Sequence, residues 1–251
     1  MSNTMLFYKN VTALSRETHK ALKLEPVTGF EVASNTHWVP TAGVEFYQAS
    51  PHYPIVFVAD GNEDKTAEMP IILLGLEAGK NDYVAKDFSW KSGTYLPAFI
   101  RRYPFVIAAE NQDAEEFTLC FDSAFAGFNE KKGKPLFSKD GSNSEFLEES
   151  IQFINGFNAE MKRTREFVDC LNKHQLLEKR SAQIISSSKV PFNVQDFLVV
   201  SEEKMAKLEG KALEELNQKG YLGWIVAHLM SLSNLPKLLD MHLEKKDEKK
   251  A

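Results

Sequence analysis

The sequence predicts an α+β protein, in which a curved, mostly antiparallel, β-rich N-terminal portion packs against a helical C-terminal portion. Short runs of β-branched and aromatic residues, separated by turn residues, dominate positions 1–140. Lysine, glycine and serine are frequent at positions 131–144, which is typical of a boundary between elements. Beyond that boundary, apolar residues recur with the period of an amphipathic helix. We expect one domain over 1–251, β-rich over 1–140, mainly helical over 141–245 and frayed over 246–251.

Several short strands are expected in the N-terminal portion. The runs 54–58 and 69–74 are apolar without interruption, which suits strands that are buried on both faces. Clusters of Gly, Asn and Asp at 60–64 and 77–82 predict hairpin connections. The strands expected in this portion are 30–32, 44–47, 54–58, 69–74 and 117–121.

One long helix is predicted after the boundary. Ser142 and Glu145 have the spacing of a capping box at its start, and we expect its end between 173 and 178. Its predicted apolar face consists of Leu147, Ile151, Ile154, Met161, Val168 and Leu171.

The remaining chain is expected to return to the sheet and then to end in helices. Strands are predicted at 190–194 and 197–200. A helix then begins at Ser201 and ends at Gly220, and another ends before Pro236. Because the strands are able to join the first sheet, we favour one cooperative unit over two domains.

The composition argues against several classes of function. Hydrophobic residues make up 43% and charged residues 26% of the chain, as in ordinary globular proteins. A net charge of −5 and a pI of about 5.8 argue against a nucleic-acid-binding face. The longest apolar runs fall short of the ~20 residues of a membrane helix, so no membrane insertion is expected. No basic region precedes an apolar run near residue 1, so we predict a cytoplasmic location, with signal-less export as the alternative.

Two adjacent arginines, Arg101 and Arg102, are the strongest site candidates. They lie where an apolar half-turn meets Tyr103 and Pro104, and proline disfavours helix in the residue before it. Guanidinium groups bind carboxylates and phosphates in a planar, bidentate way. One arginine is therefore expected to bind an anionic group, while an internal carboxylate, for which Asp122 is the candidate, anchors the other. The alternative is that both arginines are structural ties.

Further candidates are aromatic residues and histidines. Tyr95, Tyr103 and Phe105 are expected to form an aromatic wall beside the arginines. Such clusters usually belong to a core, which is the alternative, but proline-punctuated aromatic residues also suit a groove for an extended peptide. His37 with Trp38, and His52 in a Pro-flanked loop, are candidates for a ligand pocket, with simple loop packing as the alternative. The spacing of His37 and His52 does not predict a metal site, and no cofactor motif is present.

Three other residues receive structural interpretations. Cys120 and Cys170 lie in apolar surroundings and are predicted to be buried, reduced thiols, with a disulfide as the alternative. Neither cysteine has a basic residue or histidine beside it in sequence, so neither is expected to be a nucleophile. His228, on an otherwise apolar helical face, is predicted to be a core histidine.

Several segments also resemble one family of bacterial proteins, the SapC-like family. The resemblance covers about residues 40–239, and its most specific block is the arginine segment. The blocks are Tyr95-Leu-Pro-Ala-Phe-Ile-Arg-Arg-Tyr-Pro-Phe105, Leu119-Cys-Phe-Asp122, Pro135-Leu-Phe-Ser-Lys-Asp-Gly141, Phe197-Leu-Val-Val-Ser-Glu-Glu-Lys-Met205, Gly220 and Ala227-His-Leu-Met-Ser-Leu-Ser-Asn234. The family name implies an association with surface layers, which would require export. The resemblance implies no particular reaction.

Three functional hypotheses follow from the sequence. The leading one is an accessory or binding protein that recognises a protein, a peptide or another anionic ligand near the Arg-Arg-Tyr-Pro turn. The second is an enzyme that uses His37 or His52 as acid–base, with an arginine that holds an anionic substrate. The third is a structural component of a surface layer.

Overall fold

The computed structural model describes residues 6–59, 67–108 and 118–247 of the 251-residue chain. Helix accounts for 38% and strand for 23% of the described residues. The strands pair antiparallel, which confirms the predicted α+β class. The strands are β1 (Val11–Ala13), β2 (Lys23–Leu24), β3 (Trp38–Pro40), β4 (Ile55–Ala59), β5 (Ala67–Leu73), β6 (Phe105–Ala108), β7 (Thr118–Asp122), β8 (Phe128–Asn129), β9 (Lys134–Pro135), β10 (Leu177–Ile185) and β11 (Pro191–Val200). The helices are α1 (Phe46–Ala49), α2 (Ala98–Arg101), α3 (Glu145–Lys173), α4 (Glu202–Ala206), α5 (Gly210–Gln218), α6 (Tyr221–Ser231) and α7 (Leu235–Asp247).

The strands form one larger sheet and two smaller ones. The larger sheet has five strands in the order β10–β11–β4–β5–β3, and the smaller sheets have the orders β1–β7–β6 and β8–β2–β9. The uninterrupted apolar runs of β4 and β5 place Ile55 and Ile72 in the interior, where both side chains are fully buried. Strand β11 pairs with β4 through Leu198 and Phe57, so the C-terminal strands join the N-terminal sheet. This pairing supports our proposal that residues 1–251 form one domain.

Helix α3 is the longest element among the described residues. Its N-cap is Ser144, two residues after the predicted cap, and the Ser144 side chain accepts a hydrogen bond of 3.2 Å from the backbone N–H of Leu147. The helix ends at Lys173, within the predicted range. Four of the six residues predicted on its apolar face are fully or nearly fully buried, namely Leu147, Ile154, Val168 and Leu171.

Two apolar clusters meet along α3. Near its N-terminus the helix packs with Phe105 and Phe121, which belong to the β1–β7–β6 sheet. Near its C-terminus it packs against the five-stranded sheet and α6, where Phe167 contacts both Phe57 and Trp224. Helix α3 therefore links the parts of the chain that the sequence divides at the boundary.

Two of the predicted strands are wrong. Residues 30–32 overlap the 3-10 turn Glu31–Ala33, and residues 44–47 lie in the 3-10 turn Gly43–Glu45 and in α1. In the second segment only Phe46 is fully buried, whereas Val44 and Tyr47 are 46% and 57% exposed. A distant contact holds the backbone of this turn in a helical conformation. The N–H of Gly43 donates a hydrogen bond of 2.8 Å to the side chain of Thr164, which lies on α3.

The predicted hairpin connections have two outcomes. The turn at 60–64 lies outside the described residues, as does Phe117 at the start of the predicted strand that becomes β7. The segment 77–82 turns back on itself, since the N–H of Asp82 donates to the carbonyl of Leu74 at 2.7 Å. Because no strand of the sheet follows it directly in the described range 67–108, it does not connect a hairpin.

The C-terminal part contains more elements than predicted. The predicted strands at 190–194 and 197–200 form one strand, β11, whose neighbour β10 was not predicted. The helix expected from Ser201 to Gly220 is divided into α4 and α5, and Gly210 has a positive φ of 60° at the division.

Helix α7 was also not predicted. It contains Pro236 in its first turn, where the missing proline N–H costs no helical hydrogen bond. The predicted frayed tail begins with the last two helical residues, 246 and 247, and its other residues lie outside the described range. Cys120 and Cys170 are both buried free thiols, as predicted.

Candidate functional site

The main candidate site is a groove beside the arginine segment. It has a volume of about 520 Å³ and lies between residues 24–30, the segment 96–105 and the first turns of α3. Most of its lining is apolar or aromatic, which is typical of ligand sites. The lining residues are Leu24, Glu25, Pro26, Val27, Phe30, Leu96, Ile100, Arg101, Arg102, Tyr103, Pro104, Phe105, Lys134, Phe146, Glu149, Ser150, Phe153 and Ile154.

A buried carboxylate fixes the wall that carries the arginines. Glu45 is only 5% exposed, and its Oε1 accepts hydrogen bonds of 2.8 Å from the N–H of Ala98 and from the Tyr95 hydroxyl. The first of these bonds satisfies a backbone donor at the start of the short helix α2. Further along, the Tyr103–Pro104 peptide bond is cis, and the carbonyl of Pro104 accepts from the N–H of Asp122 at 2.9 Å. The wall is thus tied at both ends to other elements.

Arg101 points outward at the rim of the groove. Its side chain is exposed, and its Nη2 donates a hydrogen bond of 2.9 Å to the Tyr95 hydroxyl. Its Cζ lies 5.0 Å from the ring centroid of Phe153 and 5.4 Å from that of Tyr95. No carboxylate within the described ranges forms an ion pair with Arg101. The two aromatic rings therefore hold an exposed guanidinium that is available for an anionic ligand.

Arg102 points inward. Its residue is 4% exposed, and its Cζ lies 4.0 Å from the ring centroid of Phe99 and 5.5 Å from that of Phe157. Burial lowers the pKa of Arg102, while a hydrogen bond to the Tyr8 hydroxyl acts in the opposite direction. Arg102 thus joins the N-terminal segment to α2 and α3 beneath the groove.

Asp122 does not anchor an arginine as expected. It is fully buried and accepts hydrogen bonds from the N–H groups of Lys9 (3.0 Å), Asn10 (2.9 Å) and Ala124 (3.2 Å) and from the Tyr103 hydroxyl (3.2 Å). Burial alone would raise the pKa of Asp122, but these hydrogen bonds outweigh it and lower the pKa. No ion pair between Asp122 and an arginine is found in the described part of the chain. The carboxylate instead fastens the N-terminal segment to the end of β7.

The rim of the groove carries charges of both signs. Lys134 is exposed, and its Nζ lies 5.1 Å from the ring centroid of Phe146. Glu25 and Glu149 are also exposed at the rim. Sequence reasoning missed these three charged residues and also Phe146 and Phe153. The two phenylalanines are seven residues apart on α3 and so share one helical face. That spacing was the available signal.

The other predicted site residues lie outside the lining of the groove. Tyr95 reaches it only through Arg101. Trp38 packs with the apolar cluster that contains Val56 and Phe197. His37 is half-buried, and this burial lowers its pKa, while the ring of His52 packs 6.1 Å from that of Tyr53. None of the six histidines, all within the described residues, lines the groove.

The fold and the groove define an α+β protein with a candidate ligand site at the junction of two apolar clusters. The chain belongs to the SapC family, whose model matches residues 14–238. No curated protein and no solved structure matches the chain. Among the described residues, no helix is both long and apolar enough to cross a membrane.

Proposed function

We propose that this protein is a binding module that recognises an extended peptide segment of a protein partner. The segment would present a large apolar side chain to the groove and a carboxylate to Arg101. The observation that carries the proposal is the exposed Arg101 guanidinium, which Tyr95 and Phe153 hold at the rim of an apolar groove. The cytoplasmic location and the surface-layer association remain predictions that accompany the proposal.

The apolar part of the groove supports the choice of a large side chain. Aromatic and aliphatic residues from three separate chain segments line the groove, and its volume of about 520 Å³ lies in the usual range of ligand sites. Pro26 and Pro104 lie in its walls, and such proline-punctuated aromatic surfaces suit an extended peptide. Burial of an apolar side chain there would supply most of the binding free energy.

The charges at the rim support the choice of a carboxylate and favour one orientation. Arg101 and Lys134 attract an acidic group, whereas Glu25 and Glu149 repel it. A peptide that places its carboxylate beside either glutamate is therefore disfavoured, which adds specificity by exclusion. A charge-assisted hydrogen bond to Arg101 contributes about 1.5–3 kcal/mol.

Charge reversal at Arg101 tests the proposal. The probe is a display library of short random peptides, selected against the wild-type protein and against Arg101→Glu. We expect the wild type to select peptides that combine an aromatic or branched aliphatic residue with Asp or Glu. We expect Arg101→Glu to lose at least about tenfold affinity for these peptides, since 1.4 kcal/mol corresponds to a factor of ten. It should also select peptides with Lys or Arg at the acidic position.

Arg165→Glu is the matched control. Like Arg101, Arg165 is an exposed arginine, but it lies on α3, about 18 Å along the helix axis from Phe153. The same change of charge there should leave the affinity of the selected peptides unchanged. The proposal would be contradicted if Arg101→Glu and Arg165→Glu lost the same peptide affinity. It would also be contradicted if the peptides selected by the wild type contained no acidic residues. Arg102 is unsuitable for this test because it is buried among aromatic rings.

A further inference from the structure

A second candidate site lies near the C-terminal end of α3, away from the groove. The sulfur of Cys170, a ring nitrogen of His174 and a carboxylate oxygen of Glu215 all lie within 4.8 Å of one another. Cys170 follows Phe153 by seventeen residues, which corresponds to about 25 Å along the helix axis. The cluster is therefore independent of the proposed peptide groove.

Helix geometry explains why these three side chains meet. Cys170 and His174 are four residues apart, so they share one face where α3 ends and His174 forms the C-cap. Glu215 lies on α5, and the neighbouring Leu216 is fully buried and fixes α5 against the core. Two ligand positions on one helix and one on another give a preorganised arrangement.

The cluster is open to solvent on one side. Cys170 is 3% exposed, whereas the side chains of His174 and Glu215 are 17% and 26% exposed. An ion can therefore approach past His174 and Glu215 and find the sulfur at the inner end. The helix dipole, whose negative end lies at the C-terminus of α3, also favours a cation there.

We propose that Cys170, His174 and Glu215 bind a divalent transition-metal ion of the Zn²⁺ type, with a fourth position left for water or another ligand. Zn²⁺ accepts this mixture of sulfur, nitrogen and oxygen ligands, whereas Mg²⁺ and Ca²⁺ prefer oxygen alone. Bonds of about 2.0–2.3 Å around a tetrahedral ion place the ligand atoms about 3.3–3.8 Å apart. His174 Nε2 and Glu215 Oε2 already lie 3.0 Å apart, so small side-chain rotations suffice.

Two lysines compete with the ion for Glu215. Lys173 Nζ lies 2.8 Å from Oε2 and Lys219 Nζ lies 3.1 Å from Oε1. Their side chains are 63% and 45% exposed, so either can move into solvent. The ion would displace Lys173 from Oε2, while Lys219 would keep its contact with Oε1 and orient the carboxylate. The thiol proton of Cys170 leaves to solvent when the thiolate binds the metal.

Metal titration of the full chain tests the site, with Zn²⁺ and Co²⁺ as probes after removal of bound metal by a chelator. We expect a single Zn²⁺ to bind per chain and to raise the melting temperature, since it binds only the folded state. Co²⁺ should give a sulfur-to-metal charge-transfer absorption. Cys170→Ala and His174→Gln should each lose at least about tenfold affinity and the Co²⁺ absorption should disappear in Cys170→Ala.

Two further variants separate a metal site from a purely structural ion-pair cluster. Cys120→Ala, which removes the other buried thiol, should leave Zn²⁺ affinity and the Co²⁺ absorption unchanged. Lys173→Gln should bind Zn²⁺ several-fold more tightly because the competing cation is absent. The proposal is overturned if wild type binds no Zn²⁺ more tightly than about 1 mM, near −4 kcal/mol. Equal binding by Cys120→Ala and Cys170→Ala would also overturn it.

Discussion

At the scale of single residues, His228 shows how one buried polar side chain connects three elements. The residue is fully buried on α6, as the sequence predicts for a core histidine. Its Nε2 accepts a hydrogen bond of 3.1 Å from the N–H of Val200 on β11. Because Nε2 is the acceptor, Nδ1 carries the proton and donates to the carbonyl of Ile55 on β4 at 2.9 Å. The neutral ring thus satisfies two backbone groups in the core.

This environment predicts an acid-sensitive contribution to stability. Burial lowers the pKa of His228 to about 4 from an ordinary 6.5. Well above pH 6.5 the ring is neutral in both the folded and the unfolded protein, so its protonation does not change the free energy of unfolding. Between pH 6.5 and 4 the unfolded state binds the extra proton, so stability falls with falling pH. The full loss is on the order of 3 kcal/mol, since one pKa unit corresponds to about 1.4 kcal/mol.

Urea unfolding at pH 7 and pH 4.5 measures this contribution. We expect His228→Gln to be less stable than wild type at pH 7, because the backbone contacts are disturbed. Its free energy of unfolding should, however, fall less between the two pH values than that of the wild type. The other acidic groups are common to both proteins and cancel in the comparison. Equal losses in the two proteins would show that His228 is not the titrating group.

At the scale of elements, two glycines should respond in opposite ways to alanine. A Cβ on Gly43, in the 3-10 turn before α1, would lie 2.2 Å from a ring carbon of Trp224, which is 3% exposed. A Cβ on Gly156, inside α3, would have nothing within 4 Å. Gly43→Ala should lower the free energy of unfolding by about 1–3 kcal/mol through overpacking. Gly156→Ala should raise it by about 0.5–1 kcal/mol through helix propensity.

Urea unfolding checks both substitutions, provided that the dependence of the free energy of unfolding on urea concentration is the same in all variants. Each substitution serves as the control for the other. If Gly43→Ala is neutral, the close packing of this turn against Trp224 is incorrect. If Gly156→Ala is destabilising, the exposed position of Gly156 on α3 is incorrect.

The elements also show what a sequence can predict and why. The period of α3 and the apolar runs of β4 and β5 are local patterns, and these elements form nearly where expected. The turn at 43–45 depends instead on distant contacts, from Gly43 to Thr164 and from Glu45 to Ala98, which no local pattern reveals. Strand β10 was missed because it is largely polar and exposed, as suits a strand at the edge of the sheet.

The candidate site was predictable to a similar extent. The adjacent arginines stand out in sequence, and one of them does reach the rim of a groove. Which of the two points inward depends on Phe99 and Phe157, and on the Tyr8 hydroxyl, which is 94 residues away in sequence from Arg102. Asp122 looked like an arginine anchor because its backbone partners at the N-terminus carry no sequence signal.

At the scale of the whole molecule, one helix and one strand pair hold the β-rich and helical portions together. Helix α3 contributes Leu147 to the apolar cluster of the small sheets and Phe167 to the cluster of the large sheet. Strand β11 places the C-terminal strands directly beside β4. Loss of either cluster would therefore expose part of α3, which makes independent unfolding of the two portions unfavourable.

We expect, for this reason, a single cooperative unfolding transition. Phe121→Ala removes a side chain that is 3% exposed in one cluster, and Leu198→Ala removes one that is 3% exposed in the other. Each should destabilise the protein by about 2–5 kcal/mol and shift the same transition, because large-to-small changes in a core carry that cost. Circular dichroism and tryptophan fluorescence should report coincident midpoints for each variant. Two separated transitions, with each substitution shifting only one of them, would instead divide the chain into two domains.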